Sequence, residues 1–175
     1  DRMLDMGFAP QLEEIREFLP AERETLLFSA TLPKSTLKLA STYMKNPVEI
    51  SVGKPTTPIA KMKHSIRQTS RAQKNDHLMD ELNKRKGSVL IFVKTKHRTD
   101  QLADYLMDFG YSVARIHGDR SQKQRTMAVQ GFRQGSYRIL VATDVVARGL
   151  DIPHIAHVIN YDLPMSPEDY VHRVG

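Results

Sequence analysis

Four short polar sets each follow an apolar run in this 175-residue chain: Ser29-Ala30-Thr31, Lys94-Thr95, His117-Gly118-Asp119 and Thr143-Asp144. Placed at the carboxyl ends of strands, such residues would line a site that binds a polar ligand by hydrogen bonds and charge. Gln122 and Arg125 sharpen the signal. Three apart, they share one face of a first helical turn, where free N–H groups and the helix dipole favour phosphate and Arg125 adds a forked donor. The bland alternative is that Gln122 and Gln124 only support a capping box with Ser121. His154 and His157 have neither a cysteine nor a third ligand nearby, so no metal is assigned. His64, His77 and His97 read as ordinary surface residues.

The elements that must position these residues follow from hydrophobic spacing. The pattern predicts a strand near Met62 to Thr69, a helix Gln73 to Arg85, a strand Ser88 to Val93, a helix Thr95 to Phe109 and a strand Ser112 to Ile116. A helix opened by Ser121 then runs to Arg133, with strands at Tyr137 to Ala142 and His157 to Tyr161. Val89 to Val93 and Ile139 to Ala142 are apolar at every position, which requires cover on both faces, as in a parallel sheet flanked by helices. The fold class is therefore α/β, a doubly wound parallel sheet. Upstream, Leu12, Ile15 and Leu19 recur at helical spacing, Thr25 to Phe28 and Val48 to Val52 read as strands, and Thr31 to Met44 reads as a helix with Pro33 near its start. Met3, Met6, Met44, Met79 and Met107 fall within helical apolar patterns and are expected in the core.

Residues 51–58 carry two prolines, a glycine and small polar residues, the composition of a linker. Three parts follow: residues 1–52, a linker 53–62 and a domain 63–175. Charge divides the same way. Residues 1–52 hold six basic and eight acidic side chains, whereas residues 53–175 hold twenty and twelve, a net +8 that suits a polyanionic partner or, equally, a solvated surface. With no cysteine a disulfide framework is excluded, and no apolar run approaches the ~20 residues of a membrane span. The start has neither an initiator Met nor signal-peptide order, so the chain reads as cut from a longer, cytoplasmic protein.

In order along the chain, these residues resemble the motifs of the DEAD-box family of RNA helicases. Asp1 to Phe8 is similar to the sequence that begins with the last Asp of the DEAD tetrapeptide, and Ser29-Ala30-Thr31 to motif III. Leu90 to Thr95 resembles motif IV, and His117-Gly118-Asp119 with Gln122 and Arg125 resembles motif IVa. Ala142 to Ile152 is similar to motif V almost residue for residue, and Tyr170 to Gly175 to the start of motif VI. The tripeptide is weak evidence alone; the eleven-residue match is strong. The His172-Arg173 pair differs from the glutamine usual in RecQ-like DNA helicases, which favours RNA over DNA.

The resemblance implies a RecA-like domain over 63–175, preceded by the C-terminal part of another over 1–52. The complete protein would clamp RNA backbone between the two and separate short duplexes as ATP is hydrolysed. Catalytic or coupling roles would fall to Asp1, Ser29, Thr31, Arg148, His172 and Arg173. Gly149 and Asp151 would bind nucleotide, Asp151 at the ATP ribose. Thr95, Gly118, Gln122, Arg125 and Thr143 would bind RNA, mostly at phosphates and with little sequence preference. Plainer roles stand beside these: a turn cap for Asp151, a surface arginine for Arg148, an N-cap for Thr143, a conformational glycine at Gly118, a structural His117. The Q motif, P-loop and first three DEAD residues would precede Asp1 and the arginine fingers follow Gly175. ATP and Mg2+ would thus serve the complete protein, with the magnesium site outside this chain, which alone is expected to be inactive. The competing class is a non-catalytic RNA-binding or scaffold module of the same fold.

Overall fold

The computed structural model describes residues 8–29, 37, 40–52, 62–144, 152 and 155–174. The chain separates into two compact units, Asp1–Thr57 and Pro58–Gly175. In the first, helix α1 (Ala9–Glu17) opens with Pro10 in its first turn, where a missing N–H costs nothing. It stops before Leu19, whose spacing placed it in the helix. Leu37 and Ala40 are helical and the chain turns at residues 41–43, so the helix expected to reach Met44 ends at Ala40. The expected strands Thr25–Phe28 and Val48–Val52 are not strands among the described residues, and apart from the half-buried Leu27 their apolar side chains are exposed, from 69% at Leu26 to 97% at Val52. A strand exists through its ladder, and these segments have no described partner to pair with. The expected strand at Met62–Thr69 fails for the same reason, with Ile66 fully in solvent.

The second unit follows the alternating pattern closely. Its elements are α2 (Lys74–Lys84), β1 (Val89–Phe92), α3 (Lys96–Asp108), β2 (Val113–Ile116), α4 (Gln122–Arg133), β3 (Ile139–Ala142), β4 (His157–Asn160) and α5 (Pro167–Val174). The strands form one parallel sheet in the order β2-β3-β1-β4. From β1 the chain crosses to β2 over one face, then returns to β3. Because crossovers are right-handed, reversing direction sends the second helix to the opposite face. The packing shows this. Val89, Ile91 and Val93 bury against Leu78 and Leu82 of α2 and Leu102 and Leu106 of α3, whereas Leu90 and Phe92 face Ala128 and Phe132 of α4. Both faces are covered, as the uninterrupted apolar strands require. Of the methionines expected in the core, Met79 packs against it and Met44 is half-buried, but Met107 is 39% exposed on α3; Met3 and Met6 lie outside the described residues.

Local chemistry fixes the helix ends. Thr95 caps α3 by accepting the Arg98 N–H, and Ser121 and Gln124 complete a reciprocal capping box on α4. At the end of α2, Arg138 donates to the carbonyls of Leu82 (2.7 Å) and Arg85 (2.6 Å), satisfying groups that lack helical partners. The turn that follows needs Gly87, whose φ is +89° and where an added Cβ would lie 2.9 Å from the Ala156 Cβ.

Candidate functional site

The carboxyl ends of the three neighbouring strands lie flush. Val93 N–H donates to the Ala142 carbonyl (2.9 Å) and Thr143 N–H to the Ile116 carbonyl (3.2 Å), so the ladder continues one residue past each strand. Thr95, His117-Gly118 and Thr143 leave the sheet from adjacent rows. Thr95 is exposed, with its hydroxyl on the α3 cap. Thr143 is buried. Gly118 is exposed, and a Cβ there would meet nothing within 4 Å, so packing does not demand a glycine. Gln122 starts α4 in solvent. Arg125, half-buried one turn later, has a buried Nε with no hydrogen-bond partner. Across the front of β3, Lys96 and Asp119 pair at 2.8 Å.

Behind this edge stands a carboxylate hub. Asp100 Oδ1 lies 3.1 Å from Arg115, 3.2 Å from His117 Nε2 and 3.3 Å from Arg120, and Arg115 also pairs with Asp104. Burial disfavours the charged form of Asp100, yet the hydrogen bond and charge of His117, joined by Arg115, outweigh it and hold the carboxyl below its ordinary value. His117 is 3% exposed and belongs to this network, the structural role weighed for it from sequence.

A second hub follows β4. The Asp162 carboxylate accepts from Lys74 (2.6 Å), Arg98 (3.1 Å) and the Lys94 N–H (3.0 Å). Burial again opposes ionisation, but the Lys74 and Lys94 hydrogen bonds and the charges of Lys74 and Arg98 prevail, so this carboxyl is also lowered. Arg173 is 4% exposed. It binds both oxygens of Asp144 (2.5 and 2.8 Å), Asn160 Oδ1 (2.8 Å) and the Asp162 carbonyl (2.7 Å), with its guanidinium 4.9 Å from the centre of the Phe92 ring. His172 is half-buried on the same helix, and Ser29 is half-buried in the first unit. Asp1, Thr31, Arg148, Gly149 and Asp151 lie outside the described residues.

The hubs were missed from sequence, although Asn160-Tyr161-Asp162 is another polar set at the end of a strand and obeys the rule used for the other four. His64, taken as an ordinary surface residue, contacts the Tyr170 hydroxyl through Nδ1 at 2.5 Å; His77 is half-buried, and His97 is exposed as expected. Among the described residues no three His, Asp or Glu converge on a possible metal position, and no described helix is long and apolar enough to cross a membrane.

Acid should expose the hubs. A carboxyl lowered in the folded state contributes stability in full above its unfolded pKa of about 4, and that contribution is lost as pH falls through the folded value. Urea midpoints are expected to hold from pH 7 to about 5 and to fall steeply below about 4, with Asp162→Asn flattening the acid limb. An unchanged limb in that variant would contradict the network.

Comparison with known proteins gives a consistent result. The DEAD/DEAH box helicase model matches residues 1–39 and the helicase conserved C-terminal domain model residues 73–175. The ATP-dependent RNA helicase DBP2 of Lodderomyces elongisporus is 43% identical over all of this chain and 33% of its own length. The DEAD-box ATP-dependent RNA helicase 52A of Oryza sativa subsp. japonica is 42% identical over all of this chain and 31% of its own. The chain thus spans about a third of these relatives. Among solved structures, S. cerevisiae Dbp5 bound to RNA and ADP BeF3 matches 98% of this chain and 46% of its own with a TM-score of 0.88 and 31% identity. A DEAD box protein from the hyperthermophile Methanococcus jannaschii matches the same shares with a TM-score of 0.63 and 39% identity. The parallel sheet covered on both faces is accordingly RecA-like, and the chain belongs to the DEAD-box helicase family.

Proposed function

We propose that this chain is part of an ATP-dependent RNA helicase in which two RecA-like parts, residues 1–52 with the chain that completes them and residues 63–175, joined through 53–62, clamp RNA backbone and separate short duplexes as ATP is hydrolysed. The observation that carries the reading is the flush edge of β1, β3 and β2, which delivers Thr95, Thr143, Gly118 and the amino end of α4 side by side. Thr95 and Thr143 would donate hydroxyl hydrogens to phosphate oxygens, Gly118 would let backbone approach, and Gln122 and Arg125 would take a phosphate at the α4 dipole. These contacts read backbone rather than bases, so sequence preference is slight.

Asp151 and Gly149 would bind nucleotide, and Arg148 would act near the transferring phosphate. Ser29, Thr31 and His172 would link nucleotide state to RNA, and Asp1 would belong to the catalytic carboxylates. Arg173, enclosed by Asp144, Asn160 and Asp162, would work by holding β3, β4 and α5 together rather than by touching phosphate. The metal that accompanies ATP would be held by residues outside those described, and no step here runs through it.

The decisive test is ATP hydrolysis by the complete protein with and without single-stranded RNA. A rate that rises severalfold with RNA, together with release of a short labelled strand, is expected. RNA binding without hydrolysis would instead identify a non-catalytic module. The 175 residues contain no Gly-x-x-x-x-Gly-Lys-Ser/Thr phosphate loop, and by themselves they are expected to release no phosphate above a buffer control.

A further inference from the structure

Asp162 commits each of its hydrogen-bonding groups to a different segment. Its N–H donates to the Phe92 carbonyl at the end of β1 (3.2 Å). One carboxylate oxygen accepts the Lys94 N–H in the turn that leads to Thr95, and the other accepts Lys74 of α2 and Arg98 of α3. Its carbonyl accepts Arg173 of α5. Its neighbour Tyr161 lies beneath the Lys74 ammonium (4.5 Å) and donates to Asn75 (2.7 Å), which fixes the backbone on the other side. The carboxylate is 8% exposed, so it faces inward to its partners.

We infer that Asp162 is a positioning residue that holds the Lys94–Thr95 turn and Arg173 in one frame, setting the RNA-contacting turn before RNA arrives and in register with the helix that carries His172. This rests on the assignment of Thr95 to RNA made above. An isolated turn would sample several backbone conformations and lose that freedom on binding, whereas a turn already fixed by Asp162 binds without that cost. A positioning role therefore appears in the RNA concentration needed, rather than in turnover once RNA is bound.

The test uses the complete protein and measures RNA-stimulated ATP hydrolysis against RNA concentration. Asp162→Asn keeps the carbonyl for Arg173 but weakens the carboxylate contacts. It is expected to raise the half-saturating RNA concentration about tenfold, the size of one charge-assisted hydrogen bond, with turnover at saturation within about twofold of the parent. Lys74→Met removes the shortest partner of the same carboxylate without touching the turn. It is expected to lower the melting temperature and leave half-saturation unchanged. Equal shifts in both variants, or a shift in neither, would overturn the inference and reduce Asp162 to a stabilising residue. If Asp162→Asn melts below the assay temperature, half-saturation is read at a lower temperature at which both variants are folded: a shift in Asp162→Asn alone supports the inference and an unshifted Asp162→Asn overturns it. A parent showing no RNA stimulation would overturn the proposed function as well, whereas a stimulated parent with an unshifted Asp162→Asn removes only this inference.

Discussion

Arg173→Ala should cost about 3–5 kcal/mol of folding stability, because it removes a buried guanidinium that binds the Asp144 carboxylate, Asn160 and the Asp162 carbonyl at once and leaves a cavity among them. Against a typical domain stability of about 5–15 kcal/mol, that loss would leave the second unit marginal. Urea titration of the 175-residue chain by far-UV circular dichroism reads it directly. Arg173→Lys should recover little of the loss, since one ammonium cannot span both Asp144 oxygens, Asn160 and a carbonyl as a planar guanidinium does. A loss below about 1 kcal/mol, the range of an exposed ion pair, would mean that the enclosed network does not form in solution. The outcome also governs how activity data at this position are interpreted. A complete protein inactive at position 173 would not by itself show contact with the transferring phosphate, because the same substitution disturbs β3, β4 and α5 together.

Arg125→Ala should weaken RNA binding by about tenfold at low salt and reduce the slope of log affinity against log salt concentration by about 0.7, the value of one lost phosphate contact on a single strand. The structural ground is a half-buried guanidinium beside the amino end of α4 whose Nε has no partner within the protein. Fluorescence anisotropy with labelled single-stranded RNA between about 50 and 200 mM salt covers the informative range. Lys84→Ala, an exposed cation at the far end of α2, is the control and should leave the slope unchanged. If Arg125→Ala kept the parental slope while affinity fell, Arg125 would support the fold of the α4 start and not the phosphate.

The second unit was largely legible in the sequence because its strands are buried on both faces and its helices carry local stop and start signals. Val89 to Phe92 could only be a covered strand, and Ser121 with Gln124 marked the start of α4 to the residue. The first unit was read less well. Leu26, Phe28, Val48 and Ile50 have strand-like composition, but a strand is made by its neighbours, and composition alone cannot supply a ladder. Within the site, residues that reach outward, such as Gln122 and Arg125, stood out through spacing on one helix face. Asp162, Lys74 and Arg98 did not, because they are 88 and 64 positions apart in sequence and meet only once the sheet order has brought β4 beside β1. Arg173 and His172, adjacent in sequence, carried one signal between them. The helix turns Arg173 into the core and leaves His172 half-exposed.

The carboxylate beside the first turn of α3 has one more consequence. The turn from a parallel strand into a helix is where this architecture stands ready to accept an outside anion, with a free backbone N–H and the positive end of a dipole. Here the Lys94 N–H and the Arg98 side chain are already occupied by Asp162, so the protein supplies its own counter-ion. The second unit therefore keeps this corner shaped without any bound solute. Inorganic phosphate or free nucleotide gains nothing by competing for the Lys94 N–H and Arg98, which leaves the exposed Thr95 hydroxyl and the neighbouring amino end of α4 as the groups still open to an RNA phosphate.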